Sequence, residues 1–310
     1  YVADVKVTGS TWTQVYPEVA TGTATTTTLA ASPNGTVAPG TAVTLTATVA
    51  PAAAGAVSFA DGATSLGAAD TYDAATGIAT KTLTPTPGAH SYTATFAPTD
   101  TAAYQGSVSS AVALTVSKAA ASVALTLLPA TVAYGTARSA KVIVTATGFT
   151  PTGAVTIKEG AVTLASGTLA SGQATLALPA TLAVKAHALT ATYAGDTNVA
   201  TGTSAPATLT VVKATATMRA GVTTVKVGKV KRLALAITLT ARGTVPGGKV
   251  NVYEKRGKRF VLLGAKLLSR GKAVVVLPKL KKGPHVLQAR YAGSLVVAPV
   301  SSRLLTVRFP

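Results

Sequence analysis

The sequence contains the same succession of short motifs three times, with a period of about 96 residues. One motif reads GAHSYTATFAP from Gly88, KAHALTATYAG from Lys185 and GPHVLQARYAG from Gly283. A preceding motif reads GAVSFADG from Gly55, GAVTIKEG from Gly153 and GKVNVYEKRGKR from Gly248. The histidines of the first motif are spaced 97 and 98 residues apart, so the register is kept along the chain. Motifs that keep one order and one spacing predict three tandem domains with a common fold.

Within each repeat, short runs alternate apolar and polar residues. The apolar members of one such run are Val43, Leu45, Ala47 and Val49, then Val142, Val144 and Ala146, then Leu233, Leu235, Ile237 and Leu239. A period of two is typical of a strand that buries one face, and antiparallel sheets pack such faces on a common core. About seven such strands fit in each repeat, the number expected of an immunoglobulin-like sandwich. The pattern predicts an all-β chain of three tandem immunoglobulin-like β-sandwiches, arranged as beads on a string in a stalk.

The motifs also place the domain boundaries. We expect domains at 23–118, 119–213 and 214–310, which are called the first, second and third repeat below. The first two end in TVSK and TVVK and lead into the next repeat without a Gly-, Pro- or Ser-rich tract, so short linkers are expected. Residues 1–22 do not fit the repeat and are expected to be the tail of a preceding domain or an extra N-terminal strand.

The first repeat resembles a known family of domains. Its segments TTTTL, ASPN, AVTLTATV, GAVSFADG, TSLG, GIATKTL and GAHSYTATFAP are similar to the bacterial Ig-like domains of group 3. These are tandem modules of secreted and surface proteins, many from high-GC Gram-positive bacteria. The YAGDTN stretch from Tyr193 resembles the family's loop after the sixth strand, whereas the first and third repeats differ there. The resemblance covers nearly all of 23–310 and implies a secreted or cell-surface protein without catalytic residues.

Few residues are suited to catalysis, cofactor binding or metal ligation. Cysteine is absent, which excludes disulfides and Cys-based zinc sites. Each repeat has a single histidine (His90, His187 or His285), too few for a multi-histidine site within a domain. Their strand positions predict a structural role instead, capping the core near the loop before the strand. The carboxylates are scattered, and neither a nucleophile elbow nor a phosphate-binding Gly-rich loop occurs. We therefore expect no enzyme activity, no cofactor and no metal site.

The positive charge of the chain is concentrated in the third repeat. The formal net charge is −1 for 1–22, −2 for the first repeat, +3 for the second and +19 for the third, whose only acid is Glu254. Ordinary surfaces mix both signs. Alternate connections of a sandwich lie at one end, so twelve basic residues are expected to meet at the end opposite to where the chain enters. This basic tip comprises Lys226, Lys229, Lys231, Arg232, Lys255, Arg256, Lys258, Arg259, Lys279, Lys281, Lys282 and Arg308.

These features together predict a non-catalytic extracellular stalk or attachment module, secreted or wall-associated, whose third repeat binds an anionic cell-wall polymer or another polyanion. No apolar run reaches the roughly 18 residues of a membrane-spanning helix, so no transmembrane segment is expected. Two alternatives remain open. The chain could be the C-terminal accessory array of a larger secreted enzyme with its catalytic domain upstream of Tyr1. It could instead be an adhesin, filament or virion structural protein. Besides the polyanion, a second copy of the chain is a possible partner, through self-association into a surface assembly.

Overall fold

The computed structural model describes residues 22–309, together with two short strands near the N-terminus. These strands are β1 (Val7–Thr8) and β2 (Thr11–Trp12), which pair antiparallel. The rest of 1–21, where a preceding-domain tail or an extra strand is predicted, lies outside the described residues. The part of the chain that is described folds into strands joined by turns and loops, and it has no helix able to cross a membrane.

The first repeat is a sandwich of two sheets. Its strands are β3 (Thr26–Ser32), β4 (Gly35–Val37), β5 (Val43–Ala50), β6 (Gly55–Asp61), β7 (Thr64–Ala68), β8 (Thr71–Asp73), β9 (Ile78–Leu83), β10 (Gly88–Pro98), β11 (Ser107–Val108) and β12 (Val112–Val116). One sheet has the order β3-β5-β9-β8, and the other has the order β4-β12-β10-β6-β7 with β11 paired to β10. Strand β4 runs parallel to β12, and the other pairs are antiparallel.

The second repeat has nearly the same topology. Its strands are β13 (Ser122–Leu128), β14 (Thr131–Ala133), β15 (Arg138–Thr145), β16 (Ala154–Glu159), β17 (Val162–Thr168), β18 (Gln173–Leu178), β19 (Ala186–Tyr193), β20 (Gly202–Thr203) and β21 (Ala207–Val212). The sheets are β13-β15-β18 and β14-β21-β19-β16-β17, with β20 on β19. Strand β14 is parallel to β21, as β4 is to β12.

The third repeat keeps the two sheets but not the parallel pair. Its strands are β22 (Ala216–Val227), β23 (Val230–Ala241), β24 (Lys249–Arg256), β25 (Arg259–Leu267), β26 (Lys272–Val276), β27 (Gly283–Tyr291), β28 (Val300–Ser301) and β29 (Leu305–Phe309). The sheets are β22-β23-β26 and β25-β24-β27-β28, with β29 also paired to β27. All of these pairs are antiparallel.

The alternating runs form most of the cores, as predicted, although Ala146 and Leu233 are only partly buried. In β5 the four alternating residues Val43, Leu45, Ala47 and Val49 are at most 1 % exposed, while the threonines between them are less buried. In the third repeat Leu235, Ile237 and Leu239 are buried in the same way. An aromatic ring is buried six residues after each histidine, at Phe96, Tyr193 and Tyr291. Burial of these repeated positions is why sequences of modest similarity form the same sandwich.

The path of the first strand distinguishes the third repeat from the other two. Pro33 and Pro129 directly follow β3 and β13, and proline has no N–H for continued strand pairing. The chain then leaves that sheet, and β4 or β14 joins the opposite one. The third repeat has no proline before Pro246, so β22 continues along β23 for its full length.

The all-β, immunoglobulin-like fold class is confirmed. The repeats contain more strands than predicted because short strands such as β4, β8 and β11 add to the main set. The chain divides into two compact units. One unit consists of the chain up to Ala120 together with two short segments from the second repeat, Thr147–Phe149 and Thr197–Ala200. The other unit comprises Ala121–Ala146, Thr150–Asp196 and Thr201–Pro310.

Candidate polyanion-binding site

The twelve residues of the basic tip lie at turns and strand ends on one side of the third repeat. The β22–β23 hairpin pairs Lys226 with Lys231, and the β24–β25 hairpin pairs Arg256 with Arg259. The β26–β27 loop carries Lys279, Lys281 and Lys282. The ladder between β27 and β29 pairs Gly283 with Phe309, which brings the end of β29 beside that loop. The strand registers therefore bring the predicted residues to one end of the sandwich.

All twelve side chains of the basic tip belong to exposed residues. Like charges lie directly opposite one another in two of the hairpins, an arrangement that destabilises a strand pair. Glu254, the one acid of the repeat, is buried, with its side chain 6 % exposed. The tip thus concentrates positive charge on side chains that remain accessible to a ligand.

Arg256 differs from the other members of the basic tip because its charge is already paired. Its Nε and Nη2 atoms both lie 2.7 Å from Oε2 of Glu254. Within 22–309, no other side chain of the tip forms an ion pair. Arg256 therefore secures a buried carboxylate, and the other eleven residues supply the unneutralised charge.

The histidines form one arrangement that recurs in all three repeats. Each Nδ1 contacts a carboxylate from the strand of the preceding motif: Asp61 at 2.7 Å for His90, Glu159 at 2.9 Å for His187, and Glu254 for His285. Each Nε2 contacts the carbonyl oxygen four residues earlier: Thr86 at 2.8 Å, Ala183 at 2.8 Å and Lys281 at 2.9 Å. These carbonyl oxygens belong to the segment just before the strand, near which the sequence analysis places a core-capping role for the histidines.

The acidic partners of the histidines are the residues that the sequence analysis missed. They occupy the same place in the second repeated motif, at the end of GAVSFAD, GAVTIKE and GKVNVYE. Because a carboxylate and a histidine recur at matching places in every repeat, the sequence alone could have suggested that they form a pair. In the third repeat the arrangement links Lys281 of the β26–β27 loop, through His285 and Glu254, to Arg256 of the β24–β25 hairpin. It therefore fixes two parts of the basic tip to each other.

The contacts of His90 define its protonation state. A carboxylate and a backbone carbonyl only accept hydrogen bonds, so both ring nitrogens must donate and the ring is an imidazolium. Burial lowers the pKa of His90, but the hydrogen bonds to Asp61 and to the Thr86 carbonyl outweigh it, and the net pKa is raised. For His285 the hydrogen bond to Glu254 is the main reason for a raised pKa.

The carboxylates respond in the opposite direction. Burial raises the pKa of Asp61, but the hydrogen bonds from His90 and the Ser91 amide lower it by more. Burial likewise raises the pKa of Glu254, and the contacts with His285 and Arg256 bring it below its ordinary value. These two carboxylates stabilise the fold above their unfolded pKa of about 4. The contribution of His90 and His285 is complete below their unfolded pKa of about 6.5 and is lost as the pH rises through the raised folded pKa.

We expect the first and third repeats to lose stability as the pH rises above neutrality. A histidine whose pKa is raised on folding contributes fully below its unfolded pKa, and the contribution disappears as the pH rises through the folded pKa. Thermal unfolding of the full chain should therefore have higher midpoints at about pH 6 than at about pH 8.5. In His285→Leu this difference should vanish for the third repeat and persist for the first. Equal wild-type midpoints at both pH values would contradict the imidazolium assignment.

A second basic feature lies on the outer face of β24, β25 and β27. The guanidinium carbon of Arg290 is 3.7 Å from the ring centroid of Phe260 and 5.2 Å from that of Tyr253. Its Nε donates to Oε1 of Gln288 at 2.8 Å. A guanidinium that stacks on aromatic rings and can still donate hydrogen bonds from its terminal nitrogens is able to bind a carboxylate or a phosphate. A neighbouring cavity of about 420 Å³ is lined by Asn251, Tyr253, Arg290, Tyr291, Ala292, Pro299, Val300 and Ser301.

The described residues contain no group of three His, Cys, Asp or Glu side chains placed to hold a metal ion. The carboxylates of Asp70 and Asp73 accept hydrogen bonds from nearby groups of the first repeat. Asp70 accepts from Lys81 and from the Thr82 amide, and Asp73 accepts from the Ala75 amide.

The chain is similar to solved structures with several immunoglobulin-like domains. Titin domains I67–I69, as an E-to-A variant, are 14 % identical over 86 % of this chain and 93 % of that chain, with a TM-score of 0.35. The D1–D4 ectodomain fragment of ICAM-5 is 12 % identical over 91 % and 76 %, with a TM-score of 0.37. The adhesin InvE of Yersinia pseudotuberculosis is 18 % identical over 59 % and 58 %, with a TM-score of 0.34.

A search among curated proteins returned no match. The family model of the bacterial Ig-like domain (group 3) matches residues 29–117 and 125–212. The two matches lie within the first and second repeats and together span more than half of the chain, while the third repeat lies beyond them. No catalytic family is indicated. The chain therefore belongs to the bacterial Ig-like domain (group 3) family.

Proposed function

We propose that this chain is an extracellular stalk or attachment module whose third repeat binds anionic polymers of the cell envelope. The observation that carries the proposal is the convergence of twelve exposed basic residues on one end of a domain that has a single, buried acid. Such a surface repels itself, and the repulsion is relieved when a polyanion neutralises it. Phosphate-bearing or other acidic wall glycans are the ligands that this chemistry favours.

Binding at the basic tip depends on charge density rather than on the sequence of the ligand. Lysine side chains are flexible point charges, and eight of the twelve residues are lysines at turns or at the strand ends beside them. The described part of the repeat has no helix that could enter a nucleic-acid groove. We therefore propose that one surface accepts several polyanions, among which wall polymers are the ones an extracellular module meets.

The family supports an extracellular location, because its domains are often extracellular. A secreted or wall-associated product of a high-GC Gram-positive bacterium is our proposal for the source and compartment. The first two repeats, with net charges of −2 and +3, serve as spacers in this scheme. The third repeat, outside the family match, provides the attachment.

Charge reversal at the β24–β25 hairpin tests the proposal. Lys255→Glu, Lys258→Glu and Arg259→Glu are combined in the full chain, and Arg256 is kept because it pairs with the buried Glu254. The matched control reverses Lys249, Lys266 and Lys272, which are exposed and lie at the opposite ends of their strands. We expect the hairpin variant to lose retention on cell-wall preparations in low salt, and the control to keep most of it.

Two results would contradict the electrostatic tip. Equal losses in both variants would mean that net charge alone matters, without a site. Retention of the hairpin variant in high salt would indicate a ligand recognised by groups other than these charges. Folding of both variants is checked by their thermal unfolding midpoints.

The stacked Arg290 favours a second candidate function, an adhesin that binds an acidic sugar. Its cavity offers an aromatic ring, an amide, a hydroxyl and a guanidinium to one ligand. Arg290→Lys keeps the charge and removes the bidentate fork. If this variant loses retention while the hairpin charge reversal does not, the adhesin is the better account.

A further inference from the structure

In the first two repeats the last strand is covered along its outer edge. Strand β4 lies parallel to β12, with Thr36 opposite Thr115 and Val37 opposite Val116. Strand β14 lies parallel to β21, with Val132 opposite Val211. Backbone bonds close these edges: the Thr210 amide donates to the Ala130 carbonyl at 2.8 Å. The triplet Thr-Val-Ala occurs at both places: at 131–133 it forms β14, and at 36–38 it ends one residue after β4.

In the third repeat the corresponding edge is open. Strand β29 pairs with β27 on one side, and among the described residues no strand pairs with its other side. Arg308 corresponds to Thr210, since each lies opposite the residue that precedes the motif histidine. The backbone groups of Arg308, and those of Thr306 two residues before it, therefore face outward. An open edge of this kind is a template for an added strand.

A cavity lies beside this open edge. It has a volume of about 360 Å³, and Leu233, Leu277, Leu280 and Phe309 are among the residues that line it. By their places in the repeat, Leu233, Leu277 and Phe309 correspond to Val43, Leu83 and Val116 of the first repeat. In the first repeat these three residues pack in one core cluster with Val37 of the covering strand. The cavity thus lies where the covering strands of the other repeats insert a valine.

The rim of the cavity determines what kind of segment it fits. Lys231, Arg232 and Lys279 are exposed around an apolar floor, and Arg308 follows along the edge. The repeat's one acid, Glu254, is already engaged by His285 and Arg256. Charge complementarity therefore favours acidic residues on both sides of an apolar one.

We propose that the open edge of β29 and its cavity bind an extended segment of a partner protein, parallel to β29, with an apolar side chain in the cavity and acidic residues on the basic rim. The segment takes the place that β4 and β14 occupy in the other repeats. The proposal goes beyond polymer attachment, because it depends on backbone pairing and an apolar anchor, and either function can fail without the other.

A labelled peptide tests the proposal with the full chain. The acetylated and amidated peptide EEGTVAEE places the shared triplet between acidic residues, and EEGTGAEE has the same charge without the anchor. We expect saturable binding of the first peptide, binding of the second weaker by about tenfold or more, and slower hydrogen exchange at the Thr306 and Arg308 amides. Equal binding of the two peptides would show a purely electrostatic contact and overturn the proposal, as would no binding of EEGTVAEE.

Two variants locate the contact. Thr306→Pro removes an outward N–H without changing the charge, and Thr306→Ala is its matched control, because Thr306 is exposed. We expect the proline variant to bind EEGTVAEE about tenfold more weakly than the alanine variant while retention on wall preparations is unchanged. Leu280→Trp, which fills the cavity, should weaken binding in the same way and decides the matter if Thr306→Pro does not fold. Peptide binding that is insensitive to the variants that fold would refute the edge site.

Discussion

We expect Ile237→Asp to unfold the third repeat and to leave the first and second repeats folded. Ile237 is 1 % exposed and lies in the middle of β23, between β22 and β26. An aspartate there would be a buried charge without a partner, which costs about 4 kcal/mol or more. A domain of this size is stable by only about 5–15 kcal/mol. Calorimetry should show the loss of one transition, and NMR should show dispersed signals from the other repeats.

The neighbouring residue supplies the control. Thr238 is exposed on the same strand, opposite Arg219 and Lys272, so Thr238→Asp should be tolerated. If Ile237→Asp abolishes every transition, the repeats form one cooperative unit and the prediction of independent domains is wrong. If both variants unfold the third repeat, burial is not the cause.

The second large effect is the response of polyanion binding to salt. When phosphates are neutralised by basic side chains, condensed counterions are released and the affinity falls with salt concentration. With duplex DNA as a probe, four to six phosphate contacts give a slope of roughly −4 to −5 in a log–log plot. A tenfold increase in salt should therefore weaken binding by about 10⁴- to 10⁵-fold. Titrations of the full chain followed by fluorescence anisotropy measure this slope.

The hairpin charge reversal provides an internal check on that slope. Removal of Lys255, Lys258 and Arg259 should make the slope shallower, because fewer phosphates are contacted. A slope near zero in the wild-type chain would contradict a basic tip that acts through its charge. A steep slope that the reversal leaves unchanged would place the contacts elsewhere in the chain.

The fold was predictable because its determinants are local. Alternation in runs such as Val43–Val49 identifies the buried faces, and glycines at turns such as Gly228 separate the strands. Gly228 has a φ of +61°, a conformation that other residues rarely adopt. The location of the basic tip could be predicted for the same reason, because alternation of chain direction assigns each turn to one end of a sandwich.

Features that depend on pairing between distant strands were not predicted. The acids lie 28 to 31 residues before their histidines, and only the strand register brings them into contact. A net charge counts every lysine and arginine equally, so it could not show that Arg256 forms an ion pair with Glu254. The repeat pattern predicts the same strands in all three domains. Whether the first strand divides depends on Pro33 and Pro129, which the third repeat lacks.

The undivided first strand of the third repeat has a mechanical consequence. Strand β4 lies near the N-terminus of the first repeat and β12 at its C-terminus, and the two strands are parallel neighbours. Pulling the two termini of the repeat apart therefore loads this strand pair in shear, and its three residue pairs resist together. The second repeat has an equivalent clamp between β14 and β21. The third repeat has none among its described strands. Under tension along the chain, we therefore expect the domain that carries the basic tip to yield first.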